Sequence, residues 1–114
     1  MIERIKPGAR ASQMVLINGR IETSGIVAEA PQGSIGEQTQ CVLTQLERWL
    51  SEVGASKKNI SRIQIWLANM DDFAAMNAVY DAWVGDEPPV RACVGAQLAA
   101  PEYLIEIQAF GELP

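Results

Sequence analysis

The sequence contains no histidine. That absence removes Ser-His-Asp and Cys-His nucleophilic centres, HExxH-type zinc sites and every imidazole acid–base pair. Any chemistry must rest on carboxylates, arginine, lysine, tyrosine, cysteine, hydroxyls, backbone groups and water. Cysteine is scarce: Cys41 and Cys93 stand in separate segments, outside any CxxC spacing, which argues against a metal knuckle or a disulfide framework and suits a reducing, cytoplasmic compartment. Basic residues are outnumbered, 9 against 14 acidic, for a formal net charge of -5, so attraction to nucleic acid or anionic lipid is disfavoured. No run approaches the roughly 18 apolar residues of a membrane span, and the opening MIERIKPGAR has no apolar export core. Three tryptophans are dispersed over different segments and make no base-stacking platform. The PQGSIG loop has neither GxGxxG nor a GK[ST] ending, so it is no phosphate cradle.

What is present reads as one domain over residues 1–114, long enough to bury roughly two-thirds of its unfolded surface without a staple. Asn18-Gly19 between two extended runs signals a type I′ hairpin joining strands at about 13–17 and 20–28. Ser34 and Glu37 have capping-box spacing, and the apolar stripe Ile35, Val42, Leu43, Leu46, Trp49, Leu50 and Val53 predicts a helix that Gly54 stops. ISRIQIWL alternates as a strand. Asp71-Asp72 predict the cap of a second helix with the stripe Phe73, Met76, Tyr80 and Trp83, which Pro88-Pro89 separate from the next strand. Tyr103 to Phe110 alternates again. Two amphipathic helices suffice for one sheet face, which implies a two-layer α+β fold. The other face, expected to carry Trp66, Cys93, Gly95 and Phe110, is too apolar for free solvent and calls for a homo-oligomer.

Within PPVRACVGAQL the alternation places Val90, Ala92 and Val94 on a core face and Arg91 and Cys93 on the opposite one. An arginine on a half-buried strand must meet an anion: Glu106, a subunit neighbour, or a substrate carboxylate held by its planar fork. Glu106, between Ile105 and Ile107, is a second candidate, either a satisfied polar-face residue or a carboxylate desolvated for proton transfer. Cys93 reads as a thiolate helped by the nearby cation or as a small buried filler. Asn77 lies near the second helix's apolar stripe and needs hydrogen-bond partners. Ser24, before Gly25 at a strand end, has turn duty or a donor's role.

Thr23-Ser24-Gly25, LANMDDFAAMNAVYDAWV, PPVRACVGAQL and YLIEIQAFG together resemble the Rid family, also called the YjgF family, of reactive-intermediate deaminases, most closely its YoaB-like branch. The resemblance spans nearly the whole chain. It implies a chorismate-mutase-like fold, with a mixed sheet and two helices on one face, assembled as a homotrimer around a central barrel with clefts between subunits. It further implies hydrolysis of 2-imino acids, tautomers of enamines, to 2-keto acids and ammonia, without metal or cofactor. Arg91 would then clamp the substrate carboxylate, the backbone at Cys93 would meet the nitrogen side, and Glu106 would activate water. Ser24, Gly25 and Ile26 would line the substrate cleft, and Asn77 would be architectural. Two departures alter the cleft's far wall: the family's first-strand tyrosine is replaced by Ala11 or Ser12 in GARASQM, and the usual SGQ reads SGI through Ile26. A trimeric, non-catalytic binder of small carboxylates is the alternative. An RNA-directed role is disfavoured by the charge.

Overall fold

Asn18 and Gly19 both take positive φ, 50° and 77°, the geometry of a type I′ turn. They join β2 (Ser12–Ile17) to β3 (Arg20–Thr23) in antiparallel register, Ile17 opposite Arg20. The structure, a computed structural model, describes residues 1–114, and its first strand was not expected. β1 (Ile2–Pro7) pairs antiparallel with β2 as an edge strand. Its residues IERIKP are nearly all exposed, so no buried face imposes an alternation on them.

β3 is shorter than the 20–28 run suggested. The chain leaves the sheet after Thr23 and returns for one bridge, in which Ile26 exchanges both backbone bonds with Ile107 (2.7 and 3.0 Å). Helix α1 (Ile35–Glu52) starts on the full capping box of Ser34 and Glu37, and Gly54 follows it at φ 76°. Its buried face carries Ile35, Val42, Leu43, Leu46 and Leu50, and also Gln38, Thr39 and Gln45. β4 (Ile60–Leu67) leads through a 3₁₀ turn, Met70–Asp72, into α2 (Phe73–Val84). Asp71-Asp72 do not provide the expected side-chain cap. Asn69 caps the 3₁₀ turn by accepting the Asp71 N–H at 2.9 Å, and Asp72 makes no side-chain capping bond. β5 (Val90–Gly95) and β6 (Ile105–Glu112) complete the sheet.

The strand order is β1-β2-β3-β6-β4-β5, parallel only between β4 and β5, so the sheet is mixed. Both helices cover one face, the expected α+β arrangement, around a cluster of 19 buried apolar residues centred on Met14, Ile65, Leu67, Ile105 and Ile107 beneath Leu43, Leu46 and Met76. No helix is long and apolar enough to cross a membrane.

The faces of β5 are the reverse of those expected. Ile63 is registered with Arg91 and Ile65 with Cys93, and neighbouring residues in a ladder share a face. Arg91 and Cys93 therefore lie on the helix side. Val90 and Val94 are 67% and 47% exposed, on the open face with Trp66, Glu106 and Phe110. Both sets of β5 side chains include small apolar residues, so alternation alone could not choose. The choice is made by α2, whose Asn77 and Tyr80 receive the arginine.

Candidate functional site

Arg91 sits on β5, the terminal strand, and is the one arginine of the chain that is not exposed. One guanidinium nitrogen, Nη1, donates to Asn77 Oδ1 at 2.8 Å. The guanidinium carbon lies 4.6 Å from the Tyr80 ring centre and 5.8 Å from that of Phe73. An amide and two π faces hold it, yet no carboxylate is within ion-pair distance. A pairing with Glu106 is ruled out within one chain, because Glu106 projects from the other face of the sheet, two strands away. Asn77, expected to be architectural, is thus the residue that aims the arginine. Its helical position one turn before Tyr80 was the available signal.

Cys93 is half-buried on the same face and packs against the core. Burial pushes its thiol above the ordinary range, and the Arg91 charge only partly opposes that rise. A nucleophilic thiolate is therefore disfavoured near neutrality. Burial likewise raises the Tyr80 phenol, with Arg91 opposing. The backbone offers more. Ala96 N–H donates to Leu67 O at 3.0 Å. Because the amide and carbonyl of a residue in a parallel strand point to one side and alternate along the chain, the N–H and C=O of Arg91, Cys93 and Gly95 face outward from the free edge. Cys93 so presents a donor and an acceptor two residues from a cation.

Glu106 projects from β6 opposite Trp66 on the open face, between the inward-facing Ile105 and Ile107. It borders a shallow hollow of about 230 Å³ formed with Trp66 and the segment Ala96–Ala99. Gly25 lies directly against its carboxylate. A methyl group built on Gly25 would overlap Glu106 Oε2 and reach within 2.9 Å of Cδ, so a larger residue there would make the carboxylate swing to another position. Ser24 is held beside them, its Oγ donating to Ser12 O at 2.6 Å. Thr23 Oγ1 donates to Ser24 O (2.8 Å) and accepts from Ala109 N–H (3.0 Å). Ser24 lines a larger hollow of about 460 Å³ between the Gly8–Ala11 turn and the sheet. Ile26 does not join this group. Its side chain is 1% exposed in the core, turned inward by the bridge to Ile107, so it cannot line a cleft.

The candidate residues thus form two groups. Arg91, Cys93 and Asn77 stand at the β5 edge on the helix side, while Ser24, Gly25 and Glu106 cluster on the β3–β6 side of the sheet. No three His, Cys, Asp or Glu side chains converge as metal ligands would.

This is the two-layer α+β class with a mixed six-stranded sheet and a carboxylate-free arginine on its parallel edge. Residues 1–113 match the family model described as Endoribonuclease L-PSP, and the chain belongs to that family, whose members also carry the names YjgF and RutC. It is 40% identical over 108 residues to a RutC family protein of Haemophilus influenzae, covering 93% of each chain. It is 40% identical over 108 residues to the RutC family protein YoaB of Escherichia coli K12, covering 94% of each. Among solved structures, a YjgF family member from Neisseria meningitidis superposes with a TM-score of 0.95 at 41% identity, covering 100% of this chain and 96% of that one. A Pseudomonas aeruginosa protein does so with a TM-score of 0.97 at 31% identity, covering 100% of both.

Proposed function

We propose that this protein hydrolyses reactive 2-imino acids to 2-keto acids and ammonia, at clefts formed between neighbouring copies of the chain. The observation that carries the proposal is Arg91: a half-buried guanidinium, aimed by Asn77 and backed by Tyr80, with no carboxylate of its own. Leaving such an ion without an anion costs several kcal/mol, and a ligand carboxylate is the group its fork fits best.

With the carboxylate on Arg91, the imine nitrogen falls toward the outward-facing Cys93 backbone. Water adds to the imine carbon as Glu106 takes one of its protons and passes it to nitrogen. The carbinolamine hydroxyl proton then follows the same route to nitrogen, so that the C–N bond breaks with release of ammonia as the C=O bond forms. Glu106 is the proton acceptor, and the work is mainly orientation of a water against an already electrophilic carbon. Since Glu106 and Arg91 of one chain lie on opposite faces, Glu106 is supplied by one copy and Arg91 by the next. Different surfaces then meet at each interface, which gives a ring when the rotation between copies closes, as in the homotrimer that the family resemblance implies. No metal or cofactor takes part in these steps, and two free thiols accord with a cytoplasmic setting.

The test is disappearance of imines generated by an amino-acid oxidase. Wild-type protein accelerates it, and Arg91→Ala lowers kcat/KM by about 100-fold or more, as loss of a charge-assisted bidentate contact would. No acceleration over buffer for small and aromatic imines overturns the proposal. A non-catalytic carboxylate binder is the second reading, favoured by the small residues Ala11 and Ser12 at the Ser24 hollow. It predicts Arg91-dependent calorimetric binding of 2-ketobutyrate or pyruvate without turnover.

A further inference from the structure

The hollow beside Ser24 has a chemistry that water activation does not use. Arg4, on β1, and Arg10, in the Gly8–Ala11 turn, both line it. Neither guanidinium is within ion-pair distance of a carboxylate. The one acidic residue on its wall, Glu22, faces Arg20 at 3.7 Å instead. Gly8 N–H donates to Ala11 O at 2.8 Å, which closes the turn around Arg10, and the short side chain of Ala11 leaves the space beside it open. In a chain of net charge -5, two uncompensated arginines on one wall make a local field that favours an anion. Ser24 and Gln108 add polar lining, the latter tied back by its amide to Thr23 O at 2.9 Å.

Ser24 belongs to the same group as Gly25 and Glu106. Ser24 lines this hollow and precedes Gly25, which lies against the Glu106 carboxylate, so an anionic group here sits on the acceptor's side of the proposed cleft, away from the α-carboxylate on Arg91 of the adjoining copy. The geometry points to Arg10, backed by Arg4, as the residue that selects imino acids bearing a second carboxylate on a short side chain. This inference rests on the deaminase reading for its site and adds the substrate class. Such imines are products of the oxidation of acidic amino acids, so the reaction that supplies the substrate is an amino-acid oxidation at an acidic substrate.

The experiment compares imines made by oxidases from glutamate and from norvaline, which differ by the distal carboxylate. Wild-type protein shows kcat/KM about 10-fold or more higher on the glutamate imine. Arg10→Ala lowers the ratio of the two by about 10-fold through KM, and Arg10→Lys retains most of the preference because the charge remains. Equal wild-type rates on the two imines, or a ratio unchanged by Arg10→Ala, overturn the inference while leaving the deaminase reading intact. Calorimetry decides the matter if neither imine is turned over, which overturns the deaminase reading alone: 2-ketoglutarate then binds more tightly than 2-ketobutyrate and loses that margin in Arg10→Ala. Equal binding of the two keto acids overturns the inference.

Discussion

Arg91 and Cys93 are two residues apart on one strand face, and the same environment treats them oppositely. The guanidinium is held by the Asn77 amide and the Tyr80 ring, while burial keeps the thiol neutral, outweighing the nearby cation. In the proposed mechanism the part left to Cys93 therefore falls to its backbone, while the side chain packs as a filler. Cys93→Ser is expected to leave kcat/KM for imines within a few-fold of wild type, and alkylation of Cys93 by iodoacetamide to be slow at neutral pH and to rise only in alkali. Loss of activity by 100-fold or so in a folded Cys93→Ser protein would restore the thiol to the chemistry. The raised thiol and the raised Tyr80 phenol have the same sign for stability. Their neutral forms are favoured in the folded state, so their contribution is complete below the unfolded-state values and is lost as pH rises through the folded ones. That Arg91 is anomalous was legible from alternation, and the face it occupies was not, since valine and alanine on one side and cysteine and glycine on the other bury almost equally well.

At the scale of elements, α1 is held down by amides as well as by its apolar stripe. Gln38 is 2% exposed. Its Nε2 donates to Glu102 O (3.0 Å) and Pro31 O (3.3 Å), and its Oε1 accepts from Leu104 N–H (2.9 Å), so one side chain clasps both loops that flank the helix start. Gln45 similarly donates to Val27 O at 2.8 Å. Gln38→Leu keeps the bulk but strands two carbonyls and an amide, and is expected to lower unfolding stability by about 2–4 kcal/mol in denaturant titration. A change below about 0.5 kcal/mol would mean that water replaces the amide freely. The sequence pattern revealed the helix through its capping box and periodicity, and the hairpin through Asn18-Gly19, because those signals are local. It did not reveal the clasp, since a glutamine's partners 64 and 66 residues away leave no mark on its neighbours. β1 escaped for the converse reason: an exposed edge strand has no buried face to print a pattern.

For the whole molecule, the division of the candidate residues between two regions of one sheet is the consequential fact. The motif resemblance implies that Arg91, Cys93, Ser24, Gly25 and Glu106 line clefts between subunits, and sequence alone does not say which of them each chain contributes to a given cleft. The fold bears on that choice, because Arg91 and Glu106 project from opposite faces of the sheet two strands apart, and the proposed reading therefore draws them from two copies. Sharing has a consequence for mixtures. Arg91→Ala and Glu106→Gln proteins are each expected to be nearly inactive, having one defective half at every cleft. When the two are denatured together in equal amounts and refolded, clefts that draw Arg91 from the Glu106→Gln chain and Glu106 from the Arg91→Ala chain are intact. Random assembly into a head-to-tail ring makes that about one cleft in four, so about a quarter of wild-type activity should return, whereas mixing without unfolding should return less unless subunits exchange. A refolded mixture that stays at the level of the single variants, while wild-type protein refolds to full activity, would place both groups of every working site on one chain and remove the shared cleft.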